Sequence, residues 1–457
     1  MSADARPWPA TRELARRIAE TRPAEVGPSA RARAREAVVD TLGVALAGAA
    51  EDCARLALRL ACEEGAGPRS AVWGAAERTS HSWAAFVNGT AGHALDFDDV
   101  DWVMMGHPSV TLTPALVALA EERGLGGGPL LAAYAVGFEL LRVLGRALNP
   151  VHYRRGFHAT ATLGAVGTAG ACAHLLGLDA ERARHALALA ASEAGGLVSN
   201  FGTMTKPFHA GQAARAGLVA ARLAEMGFTA AADALESGFT AAFAAEGADW
   251  EAAARGWGPP WDIEEGVCVK IHPCCAMTHP GIDAMLDLCR REGIRGEEVE
   301  AIGARASSMT LKVLRYRLAA TGLEGKFSMP FCLASAVVDG RVGLPQFEEA
   351  RVRRPEVAAL QERVEFELDP ELARSAPESE RTEVWVRLKD GREFRASEER
   401  ARGHIERPLA REELREKFLE CAAVSLPAER AEAAWEGWWE VERAAEIRAL
   451  TALLRPA

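Results

Sequence analysis

The chain has 457 residues, of which 49% are hydrophobic and 26% charged, as in an ordinary globular protein. Its 53 basic and 64 acidic residues give a formal net charge of −11, so no polybasic surface is available for nucleic acid or an anionic membrane. The N-terminal segment has no continuous apolar stretch of the signal-peptide kind, and no apolar run reaches the roughly 20 residues of a membrane span. We therefore expect a cytoplasmic protein without membrane or nucleic-acid partners.

The first 265 residues predict a helical domain. Their Ala- and Leu-rich segments carry apolar residues at three- and four-residue spacing and are separated by Gly and Pro. The predicted helices span residues 30–50, 53–64, 110–124, 128–147, 158–176, 180–194 and 207–226. Many of their faces consist of Ala and Gly, which indicates helices that approach one another closely.

The sequence pattern changes near residue 266. The segments "EVEAIGARASSMT" (298–310) and "RTEVWVRLKDGREFRAS" (381–397) alternate as strands do, and "KDGR" marks a turn. Helices are predicted over 278–292 and 327–338, and charged amphipathic helix returns after residue 405. We predict a mainly α protein in which both chain ends form a large all-helical domain and a smaller α+β domain is inserted. The predicted ranges are 1–265 and 406–457 for the helical domain and 266–405 for the insert.

One short stretch, "GTAGHALDFDDVDWVMMGHPS" (89–109), is unusually acidic for a segment that is also apolar. Carboxylates that are placed among apolar residues must be paired or hydrogen-bonded. We interpret Asp98, Asp99 and Asp101 as capping and turn residues, with no metal ion.

Other classes of protein compete for this stretch. His93, Asp96, Asp98 and His107 could hold Zn²⁺ or Mn²⁺ in a metal hydrolase, because imidazole and carboxylate suit both ions. The alternative for His93 is a buried, hydrogen-bonded helix residue, which we favour. "DFDD" also matches the acid of some terpene cyclases, but aromatic residues make up only 6% of the chain and could not wall a carbocation cavity. The cysteines lack the spacing of an iron–sulfur site.

Three further positions have the features of an anion or proton-transfer site. Lys206 stands directly before Pro207, a residue suited to the first turn of a helix, so Thr205 and Lys206 are predicted at a helix N-terminus that favours an anion. His158 lies at another predicted helix start. Lys270 precedes a segment that is rich in His and Cys.

These stretches carry a resemblance to a known family. The segments are "NGTAGHALDFDD", "HPS", "GFH", "TKPFHAGQAARAGLVAARLAEMGFT", "KIHPCCAMTHPGIDA" and "FSMPFCLASAVVDG". In order and extent they resemble the signature segments of the MmgE/PrpD family, which includes 2-methylcitrate dehydratase, cis-aconitate decarboxylase and iminodisuccinate epimerase. The resemblance implies a homodimer that acts on a small di- or tricarboxylate without a metal or organic cofactor.

The resemblance also implies a set of site residues. Those expected to be catalytic are Asp96, His107, His158, Lys206 and Lys270; those expected to contact substrate are Thr205, His209, Cys275 and Phe331. Such chemistry needs a base for a proton beside a carboxylate and cations that neutralise the charge that develops. We predict a dehydratase-like lyase that works by α-proton abstraction and elimination. A decarboxylase, an epimerase or a non-catalytic member of the family are the alternatives.

Two positions depart from the family pattern. Val100 stands where a Thr often follows the Asp-Asp pair, and Phe331 stands where a Tyr is frequent. A phenylalanine has no hydroxyl to donate, which weakens the decarboxylase alternative in particular. Both departures keep the non-catalytic alternative open.

Overall fold

The computed structural model describes residues 8–65, 67–244, 247–377 and 379–456. The described residues form two compact units. Unit 1 takes in those of Met1–Asn200, Met204–Cys268 and Ala410–Ala457, and unit 2 those of Phe201–Thr203 and Val269–Leu409. The boundaries predicted from the sequence, after residues 265 and 405, remain our proposal for where folding domains begin and end.

Helices make up nearly all of unit 1. Its first part contains α1 (Ala10–Glu20), α2 (Pro28–Gly48), α3 (Asp52–Glu63), α4 (His81–Ala94), α5 (Ser109–Arg123), α6 (Gly127–Leu148), α7 (Val151–Arg154), α8 (Ala159–Leu175), α9 (Ala180–Glu193), α10 (Thr205–Glu225), α11 (Thr240–Phe243) and α12 (Trp250–Ala253). Two antiparallel strands of two residues each, β1 (Ser70–Ala71) and β2 (Arg78–Thr79), lie between α3 and α4.

Unit 2 combines helices with a mixed sheet. It contains α13 (His279–Glu292), β3 (Val299–Ala306), α14 (Ser308–Val313), α15 (Gly322–Gly325), α16 (Met329–Asp339), α17 (Glu349–Val352), α18 (Pro355–Gln361), β4 (Val364–Leu368), α19 (Pro370–Ser375), β5 (Thr382–Leu388) and β6 (Glu393–Glu398). The strand order is β4-β3-β5-β6, with β4 parallel to β3 and the other pairs antiparallel. The chain then returns to unit 1 as α20 (Arg411–Ala422), α21 (Ala428–Trp439) and α22 (Arg448–Leu453).

These elements confirm the predicted fold class, a mainly α protein with a small α+β part. The seven helices predicted in the first 265 residues are present, with ends shifted by a residue or two. The strand prediction over 298–310 was too long, because Ser307 caps α14 by accepting a hydrogen bond from the Thr310 backbone N–H.

Helix α4 was missed by the sequence analysis, although it carries His93. All of its residues from Trp83 to Ala94 are buried, so polar and apolar positions do not alternate at the helical period. Helix α6 has the length and composition of a membrane span, but 89% of its apolar window is buried inside the protein, as in a core helix.

Helix α10 is central to unit 1 and packs against α4 and α8. At Gly211, where α10 crosses α4, there is no room for a side chain. A Cβ atom on Gly211 would lie 2.2 Å from Thr90 Oγ1 and 2.3 Å from the Phe86 carbonyl oxygen. The small-residue faces predicted from the sequence therefore bring α4 and α10 into close contact, and these two helices carry much of the candidate site.

We predict that Gly211→Ala destabilises unit 1. The clash should lower the free energy of unfolding by about 1–3 kcal/mol, which outweighs the roughly 1 kcal/mol that alanine adds as the better helix former. Urea denaturation followed by circular dichroism measures the change. Gly238→Ala is the matched control, because a Cβ there meets nothing within 4 Å. Equal midpoints for the two variants would contradict the close packing of α4 and α10.

Candidate active site

The acidic stretch forms a buried turn between α4 and α5. Asp96 adopts a left-handed backbone conformation (φ 51°), which aspartate tolerates better than most residues. Backbone hydrogen bonds in both directions join Val100 to Cys268 and Asp101 to Gly106. The turn is therefore held on both sides by backbone hydrogen bonds, and Val100 contributes no side-chain donor to it.

Asp96 forms a buried ion pair with Lys206. The Lys206 Nζ lies 3.0 Å from Asp96 Oδ1, and the two residues are 4% and 3% exposed. His107 Nε2 lies 3.7 Å from the same carboxylate oxygen. Lys206 is the second residue of α10, as predicted from Pro207, so a cation, a carboxylate and an imidazole nitrogen meet at a helix N-terminus.

Asp98 contacts two histidines. Its carboxylate oxygens accept from His93 Nδ1 at 2.8 and 2.9 Å, and Oδ2 lies 3.3 Å from His107 Nδ1. Burial raises the pKa of Asp98, but its electrostatic interactions and hydrogen bonds with His93 and His107 outweigh burial and hold that pKa well below its usual value. The interpretation of Asp98 as a capping residue was wrong, because the hydrogen bonds that define its place go to side chains of the site.

Asp99 and Asp101 do act as turn residues. Asp99 accepts hydrogen bonds from the Ser109 backbone N–H and hydroxyl at the start of α5. Burial, with further contributions from Asp40 and Asp98, raises the pKa of Asp99 well above its usual value. Asp101 accepts from the Met104 backbone N–H at 2.6 Å and pairs with Arg142 at 2.8 Å.

Four histidines lie around this turn. The rings of His93 and His107 meet edge to face at 4.5 Å, and those of His93 and His158 stack at 5.7 Å. His158 Nδ1 lies 3.1 Å from His209 Nδ1, so one of these nitrogens donates and the other accepts. His93 is the buried, hydrogen-bonded helix residue that the sequence favoured, but it was not among the predicted site residues. Its distance of three residues from Asp96 and fourteen from His107 was the available signal.

Burial and the charge of Lys206 keep three of these imidazoles neutral. The pKa of His93 is lowered to about 3 and that of His209 to about 4, while that of His158 falls well below its usual value. Desolvation is the largest cause in each case, and the Lys206 ammonium adds to it. At neutral pH these histidines are proton acceptors or hydrogen-bond partners rather than cations.

The remaining predicted site residues lie in unit 2, except for Thr205, which begins α10 beside Lys206. Lys270 is buried. The Cys275 backbone N–H donates to the Lys326 carbonyl. Phe331 is fully buried and packs on Phe347, with ring centroids 5.5 Å apart. The structure thus groups Asp96, His107, His158, Lys206 and His209 in unit 1, whereas Lys270, Cys275 and Phe331 belong to unit 2.

Unit 2 holds a second buried polar cluster that the sequence analysis described only in part. Cys274 Sγ lies 3.0 Å from Thr278 Oγ1, and the Cys274 carbonyl is 3.3 Å from His279 Nε2. His272 contacts the Val342 carbonyl through Nδ1 at 2.8 Å and Asp283 through Nε2 at 3.2 Å. The His272 ring is therefore held between a backbone carbonyl and the Asp283 side chain.

The donor set for a metal ion is present in unit 1. One ligand atom from each of His93, Asp96, Asp98 and His107 lies within 4.8 Å of the other three. However, Lys206 already pairs with Asp96, and the Nδ1 atoms of both histidines face acceptor oxygens and so carry protons. Those protons leave Nε2 of each ring as the nitrogen that could bind a cation, but the cation would still have to displace that ammonium from Asp96. The fit is poor, and the absence of a metal stays a prediction.

A helical protein with a buried Lys–Asp pair amid neutral histidines has the groups that proton transfer beside a carboxylate requires. Residues 12–251 match the MmgE/PrpD N-terminal domain, and residues 272–440 match the MmgE/PrpD C-terminal domain. The chain therefore belongs to the MmgE/PrpD family, as the motifs indicated, and the prediction of an enzyme is confirmed.

Curated relatives extend over nearly the whole chain. It is 30% identical over 437 residues to a cis-aconitate decarboxylase of Homo sapiens, with 93% of this chain and 90% of the relative covered. A cis-aconitate decarboxylase of Mus musculus is 29% identical over 436 residues, with 93% and 88% covered. One from Aspergillus terreus is 25% identical over 366 residues, with 73% of each chain covered.

The neutral state of His209 predicts how stability depends on pH. Its pKa is about 4 in the folded protein against the ordinary 6.5, so the unfolded chain binds the extra proton between these values. The contribution of neutral His209 to the free energy of unfolding is fully present above pH 6.5 and is lost as the pH falls towards 4. Between pH 6.5 and 4, the free energy of unfolding should fall by roughly 1–3 kcal/mol less in His209→Gln than in the wild type. Urea unfolding of both proteins at several pH values measures it, and parallel curves would contradict a neutral His209.

Proposed function

We propose that this enzyme decarboxylates a small tricarboxylate of the cis-aconitate kind. The observation that carries the proposal is the extent of similarity to cis-aconitate decarboxylases, which covers 93% of this chain in the human relative. The buried Lys206–Asp96 pair beside His107 supports it, because these are groups for binding a carboxylate and moving a proton. At the coarser level of a carboxylate-acting enzyme, family and relatives agree.

The proposed reaction places two demands on the site. The bond between carbon and one carboxylate breaks, and the carboxylate leaves as CO₂. The electron pair that remains is delocalised through the neighbouring double bond towards a second carboxylate, and a proton is then added to carbon. The site must therefore hold the retained carboxylates with cations and must supply one proton.

Lys206 is our proposed cation for a retained carboxylate. Its pairing with Asp96 at 3.0 Å holds the ammonium in place, and the first turn of α10 adds free backbone N–H groups that favour an anion. We propose Lys270 as a second cation, and Thr205, His209, Cys275 and Phe331 as substrate contacts.

His107 is our proposed proton carrier. Its Nδ1 lies 2.7 Å from the Asp99 carbonyl oxygen, an acceptor, so Nδ1 carries a proton and Nε2 is the nitrogen that exchanges one with substrate. The His107 backbone N–H donates to Thr160 Oγ1 in α8 at 3.0 Å, and this hydrogen bond fixes the position of His107. We propose that His158 supports this transfer from its place beside His93.

A dehydratase-like reaction is the second candidate. There a base takes the proton beside a carboxylate, the bond from carbon to hydroxyl breaks, and an acid protonates the leaving group so that water departs. The Phe331 side chain favours this candidate, since it offers no phenol to protonate a carbanion. Phe331 is fully buried against Phe347, however, and a hydroxyl on its ring would also be enclosed.

The test is NMR of the purified enzyme with cis-aconitate, and separately with 2-methylcitrate, in deuterated water. Decarboxylation predicts release of CO₂ and a single new carbon–deuterium bond in the product. Dehydration predicts new alkene signals from 2-methylcitrate with no CO₂. Deuterium uptake into unchanged substrate would indicate an epimerase. No change in any arm, with correctly folded protein, would contradict both candidates.

We predict that Lys206→Met raises KM and lowers kcat, because the site loses the cation that holds a carboxylate. Arg184→Met is the matched control: Arg184 is likewise a buried cation of unit 1, and it pairs with Glu181 rather than with a residue of the site. The control should lower the melting temperature but leave KM unchanged in the folded fraction. Steady-state kinetics with cis-aconitate separate the two variants, and an equal KM in both would argue against Lys206 as the anion site.

We predict that His107→Ala mainly lowers kcat, by about 10²- to 10⁴-fold for a lost acid–base group, with little change in KM. Cys274→Ala and Cys275→Ala are the comparison, and both should cost much less activity than His107→Ala. Full activity in His107→Ala together with an inactive cysteine variant would replace the proposed mechanism with a thiol-based one.

We further propose that the protein is a cytoplasmic homodimer. Sedimentation at micromolar concentration tests whether it is a dimer.

A further inference from the structure

The buried carboxylate of Asp98 contacts two histidines of the site but has no role in the reaction proposed above. Its two oxygens lie 2.8 and 2.9 Å from His93 Nδ1, and Oδ2 is also 3.3 Å from His107 Nδ1. Asp98 is 0% exposed, and His93 is 1% exposed. We propose that Asp98 is a positioning residue that locks the His93 ring and stabilises His107 when that ring carries two protons. The activity part of this inference rests on the proposed function.

The position of the proton on His93 follows from Asp98. Both carboxylate oxygens are acceptors, so His93 Nδ1 must be the donor and Nε2 the unprotonated nitrogen. The ring so fixed lies edge to face against His107 at 4.5 Å and limits how that imidazole can turn. Asp98 therefore acts on His107 both directly and through His93.

The effect on His107 is electrostatic. Its Nδ1 proton is already held by the Asp99 carbonyl at 2.7 Å, so Asp98 is not needed to choose that tautomer. When Nε2 takes a second proton, however, the ring becomes a cation with the Asp98 carboxylate 3.3 Å away. The acid of a serine-protease triad serves the same two purposes, orientation of the imidazole and stabilisation of the imidazolium.

The other groups that face His107 do not replace Asp98. Helix α4 presents His93, and His158 lies directly before helix α8; burial lowers the pKa of both imidazoles. Helix α10 presents the Lys206 ammonium, which pairs with Asp96, and Asp96 lies 3.7 Å from Nε2. Because Asp96 is shared with Lys206, Asp98 is the carboxylate whose hydrogen bonds go to the histidines.

The variant Asp98→Asn removes the charge and keeps the shape. An amide has donor hydrogens on its nitrogen, so one of the two atoms beside His93 Nδ1 becomes a donor whichever way the side chain turns. Either the ring of His93 moves away or its proton shifts to Nε2. Asp101→Asn is the matched control, since Asp101 is a buried carboxylate of the same turn that pairs with Arg142 and contacts neither histidine.

The first measurement needs no substrate. Nitrogen-15 NMR of histidine-labelled enzyme reports which ring nitrogen carries the proton. We expect His93 to be protonated at Nδ1 in the wild type and in Asp101→Asn, and to be changed in Asp98→Asn. Unchanged His93 signals in a folded Asp98→Asn protein would overturn the positioning role, whatever reaction the enzyme catalyses.

The second measurement is the pH profile of kcat and kcat/KM with cis-aconitate. We expect Asp98→Asn to lower kcat by about 10²- to 10⁴-fold with little change in KM. The limb of the profile that follows His107 should move to lower pH by about 1–3 units, because the imidazolium loses its nearest carboxylate. Asp101→Asn should lose stability without moving that limb. Equal profiles in the two variants would overturn the electrostatic role, and an inactive wild type would instead contradict the proposed function.

Discussion

The burial of four carboxylates in one turn is the constraint on which the site of unit 1 depends. A carboxylate removed from water without a partner is strongly destabilising, so each must be matched. The four have separate partners: Asp96 with Lys206, Asp98 with His93 and His107, Asp99 with Ser109, and Asp101 with Arg142. These partners come from helices α4, α5, α6 and α10 and from the His107 segment, so satisfying the acids also fixes the positions of the site's cation and imidazoles.

The same burial decides which histidine can carry charge. A second cation near Lys206 is disfavoured in a desolvated site, and the lowered pKa values of His93, His158 and His209 follow from this. Among the histidines of this cluster that the structure describes, His107 has carboxylate oxygens within 4 Å of both ring nitrogens. This geometry supports the proposal that His107 is the proton carrier, on grounds that do not depend on motif.

Sequence reasoning succeeded where a local pattern carries the signal. Apolar spacing in Ala- and Leu-rich segments predicted seven of the helices of unit 1, and Pro207 after Lys206 predicted the start of α10. It did not predict α4, whose Gly and polar residues interrupt the apolar spacing. His93 was correctly interpreted as a buried, hydrogen-bonded helix residue, but its place in the site was not predicted. Sequence reasoning also assigned Asp98 to capping, since the pairing of Asp98 with His93 depends on how the turn folds back onto the end of α4. Side-chain partners that meet only in the folded structure cannot be read from the spacing of residues in the sequence.

The charge balance of the turn bears on the choice between metal and metal-free chemistry. Two carboxylates, Asp96 and Asp98, face one ammonium and the Nδ1 protons of two histidines. A divalent ion placed among these groups would sit beside Lys206 and would need its ammonium to leave Asp96. That exchange gives up an ion pair that is already desolvated and hydrogen-bonded, the kind whose disruption is most destabilising. A lysine so placed instead suits a substrate that brings its own negative charge, because an incoming carboxylate adds a partner for the ammonium rather than competing with it.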